Sequence, residues 1–155
     1  MSFGQELAAA EEAVDALPKQ EPSEKEAKKS ADEESRLERL VRISPRGAIV
    51  EAYGEIEAAI RELAGAAGLA KDHSVRPTYY VLKQLRQSGM IDEQTATALD
   101  DLRRIMNRAS RHISRPDEEE ALRYIGLALS LSTQLFITAR AASMPPPGPI
   151  PPGQP

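Results

Sequence analysis

Leu99-Asp-Asp-Leu-Arg-Arg-Ile-Met-Asn-Arg-Ala-Ser-Arg-His-Ile113 is the stretch that decides the reading of this chain. Leu99, Leu102, Ile105/Met106, Ala109 and Ile113 recur at helical spacing, so one side of this segment should face a core. The other side is the densest cationic cluster in the sequence. Arg103, Arg104, Arg108, Arg111 and Arg115 surround His112, and no acid lies between Asp101 and Asp117. At roughly 100° per residue, Arg104, Arg108 and His112 fall within about 80° on one stripe. Such a helix is either a solvated surface helix or an anion-binding wall. Lys does not occur after Lys83. Arginine's planar fork suits phosphate, which favours the second reading.

Outward from that helix, the spacing predicts four more. Leu37, Leu40, Val41 and Ile43 make a short leading helix that stops before Pro45. Ser44-Pro45 reads as an N-cap followed by proline at the first helical position. Ile49, Ala52/Tyr53, Ile56, Ile60 and Leu63 predict a helix over 45–67. Tyr79, Leu82 and Leu85 predict one over 77–88, stopped by Gly89. Asp92 caps the arginine helix, residues 93–113. The pair Asp100-Asp101 reads as exposed surface of that helix. Asp117 and Glu120 read as a capping box opening a last helix that runs to about 142. No stretch alternates with a strand period. The expected fold is all-α, a compact bundle of four main helices plus the short leading one, over 35–142.

The remainder reads as tails. Residues 1–34 should be a disordered acidic tail. Within it, Phe3, Leu7, Ala10, Val14 and Leu17 mark a short helix over about 5–17 that is marginal in isolation. Residues 18–34 have almost nothing apolar and read as a charged linker. Residues 143–155, with seven of the twelve prolines, should be an extended proline-rich tail. Either tail is a candidate docking segment for a protein partner.

The 155 residues suffice for one domain, with 41% hydrophobic and 28% charged residues. The net charge of −4 is uneven. Residues 1–35 hold ten acids and four lysines, net −6, which leaves residues 36–155 mildly basic at net +2. There is no cysteine, which excludes disulfide and thiolate chemistry. No apolar run of membrane-spanning length and no secretory leader are evident. A cytoplasmic protein without membrane contact is therefore expected. Two histidines, with no His-x-x-x-His or calcium-loop spacing, imply no metal site, and no motif implies a cofactor. Phosphate loops and nucleophile elbows are absent. Acid/base chemistry has one candidate, His112 among its arginines.

Four segments also carry a family resemblance. They are Pro45-Arg-Gly-Ala-Ile-Val-Glu-Ala-Tyr-Gly-Glu-Ile-Glu-Ala-Ala-Ile60, Tyr80-Val-Leu-Lys-Gln-Leu-Arg-Gln-Ser-Gly-Met-Ile-Asp92, Leu99 to His112, and Glu120-Ala-Leu-Arg-Tyr-Ile125. Together, over about 37–142, the chain resembles a bacterial HEPN-like domain (higher eukaryote and prokaryote nucleotide-binding). The resemblance implies a helical bundle that homodimerises, often beside bacterial defence or toxin modules. Active members are metal-independent endoribonucleases with an Arg, a polar residue and, a few positions on, a His. Here the polar position is Asn107 and the histidine is His112, but the arginine position is Met106. The implied catalytic set is thus His112, Asn107 and Arg104 as substitute, with Arg108 as the other arginine near enough to serve. Arg103, Arg104, Arg108, Arg111 and Arg115 are the implied phosphate or nucleic-acid contacts. The leading expectation is a non-catalytic, dimeric module for RNA, a nucleotide or a protein partner. The alternatives are an endoribonuclease and an inert scaffold whose tails recruit a partner.

Overall fold

A computed structural model describes residues 2–69, 76–144 and 153. Among them are six helices and no strand: α1 (Phe3–Asp15), α2 (Glu24–Ile43), α3 (Pro45–Ala66), α4 (Thr78–Gln87), α5 (Glu93–Ser110) and α6 (Glu118–Ser143). The all-α expectation holds, and the short helix expected within the N-terminal tail is α1, which joins the five expected for the bundle.

Helix starts follow local chemistry. Ser2, Ser23 and Asp117 each accept a backbone N–H three residues on, while Gln5, Glu26 and Glu120 reach back to the cap N–H. Each reciprocal pair satisfies two donors that a helix start leaves orphaned. Ser44 ends α2 and caps α3, accepting from the Gly47 N–H at 2.9 Å, with Pro45 at the first position. A Cβ on residue 47 would sit 2.9 Å from Ser44 Oγ, so glycine keeps that cap intact.

The acidic N-terminus is the main departure from expectation. Residues 3–15 form α1 with Phe3, Leu7, Ala10 and Val14 buried, and Leu17 just beyond is buried too. The helix packs against α5 and α6, tied by Glu6 to Arg108 and by Glu11 to Arg123. A segment too short to be stable alone is stabilised by tertiary burial of its apolar face. Residues 24–34, expected as charged linker, are the first half of α2, and the short leading helix at 37–43 is its last two turns. That first half lacks an apolar stripe, so hydrophobic spacing misses it. It is rich in Glu, Lys and Ala, strong helix formers. Its anchors are polar: Glu26 pairs with Arg140 at 3.2 Å, and Lys29 Nζ lies 3.9 Å from the centre of the Phe136 ring. The α1–α2 connection is also held, because Gln20 N–H donates to Gln134 Oε1 at 2.8 Å and Gln134 Nε2 donates back to the Gln20 carbonyl at 2.9 Å. Most of the expected proline-rich tail lies outside the described residues.

α6 is central, packing most extensively on α3 and also touching α1 and α2. By length and composition it reaches what a membrane span requires, contrary to the reading of the sequence, but half of its most apolar window is buried in the bundle. Tyr124 is fully buried and its hydroxyl donates to the Leu102 carbonyl at 2.8 Å, which joins α6 to α5. That bond satisfies the one polar atom of a large core side chain.

Between the first half of α2 and the α3–α6 pair runs a groove of about 350 Å³ that includes Lys29, Glu33, Glu55, Ser132 and Phe136. Burial pushes the Glu55 carboxyl above its usual range; nearby Glu33 adds to this, while Lys29 and Arg36 partly offset it. The folded state therefore binds the Glu55 proton more tightly than the unfolded chain. Stability from this group is greatest below the unfolded value, about pH 4.3, and is lost as pH rises through the folded one. Glu55→Gln is expected to raise the melting temperature at neutral pH, with the gain shrinking toward pH 4. Thermal melts at the two pH values check this; a loss at neutral pH would contradict it.

Candidate anion-binding site

Helix directions gather one set of termini at one end of the bundle. The start of α2 pairs with the end of α6 through Glu26 and Arg140, so those two helices run antiparallel. α2 turns directly into α3 at Ser44, and Pro45 and Pro116 line a common cleft. The start of α3, the end of α2 and the α5–α6 turn therefore meet. The start of α1 joins them, because Ser2, Phe3 and Gly4 share a second cleft with Ile113, Ser114 and Arg115.

The arginine face of α5 is not a bare wall. Arg103 donates to Asp100 Oδ1 through Nε at 3.1 Å and Nη2 at 2.8 Å. Arg104 donates to Asp101 at 2.7 Å and lies 3.3 Å from Asp100. Arg108 pairs with Glu6, 102 residues away in sequence. Asn107 is half-buried, and its carbonyl accepts from the Arg111 N–H and the Ser110 hydroxyl, both at 3.0 Å. Met106 packs against the core.

His112 is not on the helix at all. α5 ends at Ser110 rather than 113. The Ile113 N–H reaches back to the Arg108 carbonyl at 3.0 Å and the His112 N–H to the Ala109 carbonyl at 3.3 Å. His112 itself is left-handed, with φ 61°. This is the six-to-one, five-to-two closure of a helix end, which favours glycine. Gly68 and Gly89 occupy the corresponding left-handed positions after α3 and α4. The expected stripe of Arg104, Arg108 and His112 is thus broken, and Arg104 and His112 are not brought together around Asn107. A histidine in this conformation costs about 1 kcal/mol or more relative to glycine. His112→Gly is accordingly expected to raise the melting temperature by about 2–4 °C, read by a thermal melt. A lower value would mean that the imidazole makes a stabilising contact.

The turn brings His112 into different company. It lines an open cleft of about 420 Å³ with Arg46, Arg115, Ile43, Ser44, Pro45 and Pro116. No carboxylate lines that cleft. Arg115 and His112 make no ion pair among the described residues, and Arg46 Nε is buried without a partner. No protein-family model, no curated protein and no solved structure matches this chain. The cleft must therefore be read from its own chemistry. Two guanidiniums and an imidazole stand at the start of a 22-residue helix, whose N-terminal dipole adds positive potential that the carbonyl ends of α2 and α5 nearby partly offset. Such a set has the chemistry to suit an oxyanion. Arg111, the C-cap residue of α5, is exposed beside it and also makes no ion pair among the described residues.

Charge density along the sequence therefore does not separate the paired arginines from those without an ion pair. Arg103, Arg104 and Arg108 are neutralised, two of them by Asp100 and Asp101, which are partners rather than plain helix surface. Arg111 and Arg115 remain, and Arg46 joins them from outside the cluster. Its only sequence signal is its place just after Ser44-Pro45, at a helix start. Nothing local says that the α5–α6 turn lies opposite. His73 lies outside the described residues, and among the described ones no group of His, Asp and Glu could hold a metal.

Proposed function

We propose that this chain is a non-catalytic binding module that takes a phosphate-bearing ligand, RNA, at the cleft of Arg46, His112 and Arg115. One observation carries the reading: these cations share a cleft without a carboxylate while their neighbours on α5 are already paired. Phosphate oxygens would supply the missing partner, in the bidentate geometry arginine favours. The resemblance to HEPN-like domains supports the ligand class and a homodimer. Ile43 and Ile113, exposed by 83% and 62% at this same end, give a second copy an apolar surface to cover. Met106 in the place of the family's arginine supports a module that binds without cutting.

A second reading keeps one observation in its favour, since His112 shares its cleft with two arginines. A metal-independent ribonuclease would use the imidazole as acid/base and the arginines to hold the phosphorane. One experiment separates the two: single-stranded RNA with the protein in EDTA, wild type beside His112→Ala. The binding reading predicts intact RNA from both and retardation that weakens between about 50 and 200 mM salt. Cleavage by wild type alone would replace it with the nuclease. No retardation at low salt would end both.

A further inference from the structure

Two exposed aromatic rings stand on α4. α4 buries Thr78, Val81, Leu82 and Leu85, which turns the consecutive Tyr79 and Tyr80 outward, 58% and 47% exposed. Each ring carries an arginine over one face: Arg103 at 5.9 Å from the Tyr79 centre and Arg76 at 4.9 Å from that of Tyr80. Tyr79 also lines a groove of about 350 Å³ between α4 and α5, with Lys83, Arg86 and Arg104 along it. The acids there are Glu93, paired with Arg86 at 2.6 Å, and Asp100, held by Arg103 and Arg104. Asp101 pairs with Arg104 just outside it. Lys83 makes no ion pair among the described residues.

Helical spacing relates the groove to the cleft. Arg46 and Tyr53 are seven residues apart on α3, and so share a face; Tyr53 lies within the electrostatic reach of Arg103 and Asp100. Arg104 and Arg111 are likewise seven apart at the exposed side of α5, about 10 Å along the axis. Along that side Arg103, Arg104 and Arg108 are held by Asp100, Asp101 and Glu6, and Arg111 at the end of α5 makes no ion pair among the described residues.

We infer that Tyr79 and Tyr80 are a stacking platform for unpaired bases, so that the RNA bound at the cleft is single-stranded. This rests on the RNA reading above. A bare aromatic face accepts any base, and a cation on the ring's other face reinforces the stack. Bases in a duplex are already stacked on one another and leave nothing for the tyrosines. Outward tyrosines flanked by lysine and arginine combine the two terms by which proteins hold single strands, stacking and phosphate charge.

The test is anisotropy with a labelled short oligouridylate and with an RNA duplex, at low salt, for wild type, Tyr79→Ala, Tyr80→Ala and the two Tyr→Phe variants. The expected result is a preference for the single strand, weakened at least about fivefold by each alanine and retained with phenylalanine. Equal affinity for duplex and single strand, unchanged by either alanine but weakened by Arg46→Ala, would overturn the platform and leave the cleft standing. No RNA binding by wild type would remove the functional reading itself. Self-association that Tyr79→Ala abolishes, without such binding, would assign the face to a second copy and overturn the inference.

Discussion

Leu7→Ala is expected to destabilise the protein by about 2–5 kcal/mol, the range for emptying a fully buried leucine site. Leu7 is fully buried within the core that includes Ala10 and Val14, and α1 packs against α5 and α6. Those helices are fixed by their own contacts, among them Tyr124 to the Leu102 carbonyl, so the site should collapse little and the cost should lie toward the upper end. Domains of this size have only about 5–15 kcal/mol in total. The melting temperature should fall by roughly 10 °C, with the urea midpoint moving in step and the slope unchanged. A separate tail would give no shift. Deleting 2–17 should cost more, because it also strips Phe3, Val14 and Leu17 from the core and leaves Arg108 and Arg123 without their carboxylates.

That expectation marks where the sequence misleads. The apolar spacing of Phe3, Leu7, Ala10, Val14 and Leu17 is plain, but a strongly polar stretch over 18–36 separates Leu17 from the next clear run. Nothing local says that α1 returns to the bundle, because its partners Arg108 and Arg123 lie more than a hundred residues on. α2 is legible only from Leu37 onward. Its first half is held by a cap, by propensity and by Lys29 on Phe136, none of which produces an apolar stripe. By contrast α3, α4 and α6 are legible almost to the residue and α5 at its start, since each has a buried face at helical spacing, and α3, α5 and α6 also have a capping residue. The site fares worse for a related reason. Charge density points to α5, but what matters is which cations remain unpaired, and that depends on Glu6 and on the approach of Arg46. The left-handed turn at His112 displaces the histidine from its stripe; periodicity carries no warning of a helix end without glycine.

Arg46→Ala with Arg115→Ala is expected to weaken RNA binding about a hundredfold at low salt, the sum of two charge-assisted hydrogen-bonding interactions. The slope of log affinity against log salt should fall in magnitude by about 2, one for each phosphate no longer neutralised. Arg115 is exposed and outside every helix, and Arg46 makes no ion pair among the described residues, so the fold should survive; a thermal melt serves as the control. Arg46→Lys should recover part of the affinity, because it keeps the charge but not the fork. Arg104→Ala should matter less, since Asp100 and Asp101 already engage that side chain. The reverse order, with Arg104 dominant and the double variant unaffected, would return the site to the α5 face.

The most direct test is a backbone amide NMR titration of the labelled protein with a short single-stranded oligoribonucleotide. The largest shifts are expected at Arg46 to Ala48 and from Arg111 to Arg115, where the start of α3 meets the α5–α6 turn. Shifts confined to the α2–α6 groove, or none at low salt, would contradict this expectation.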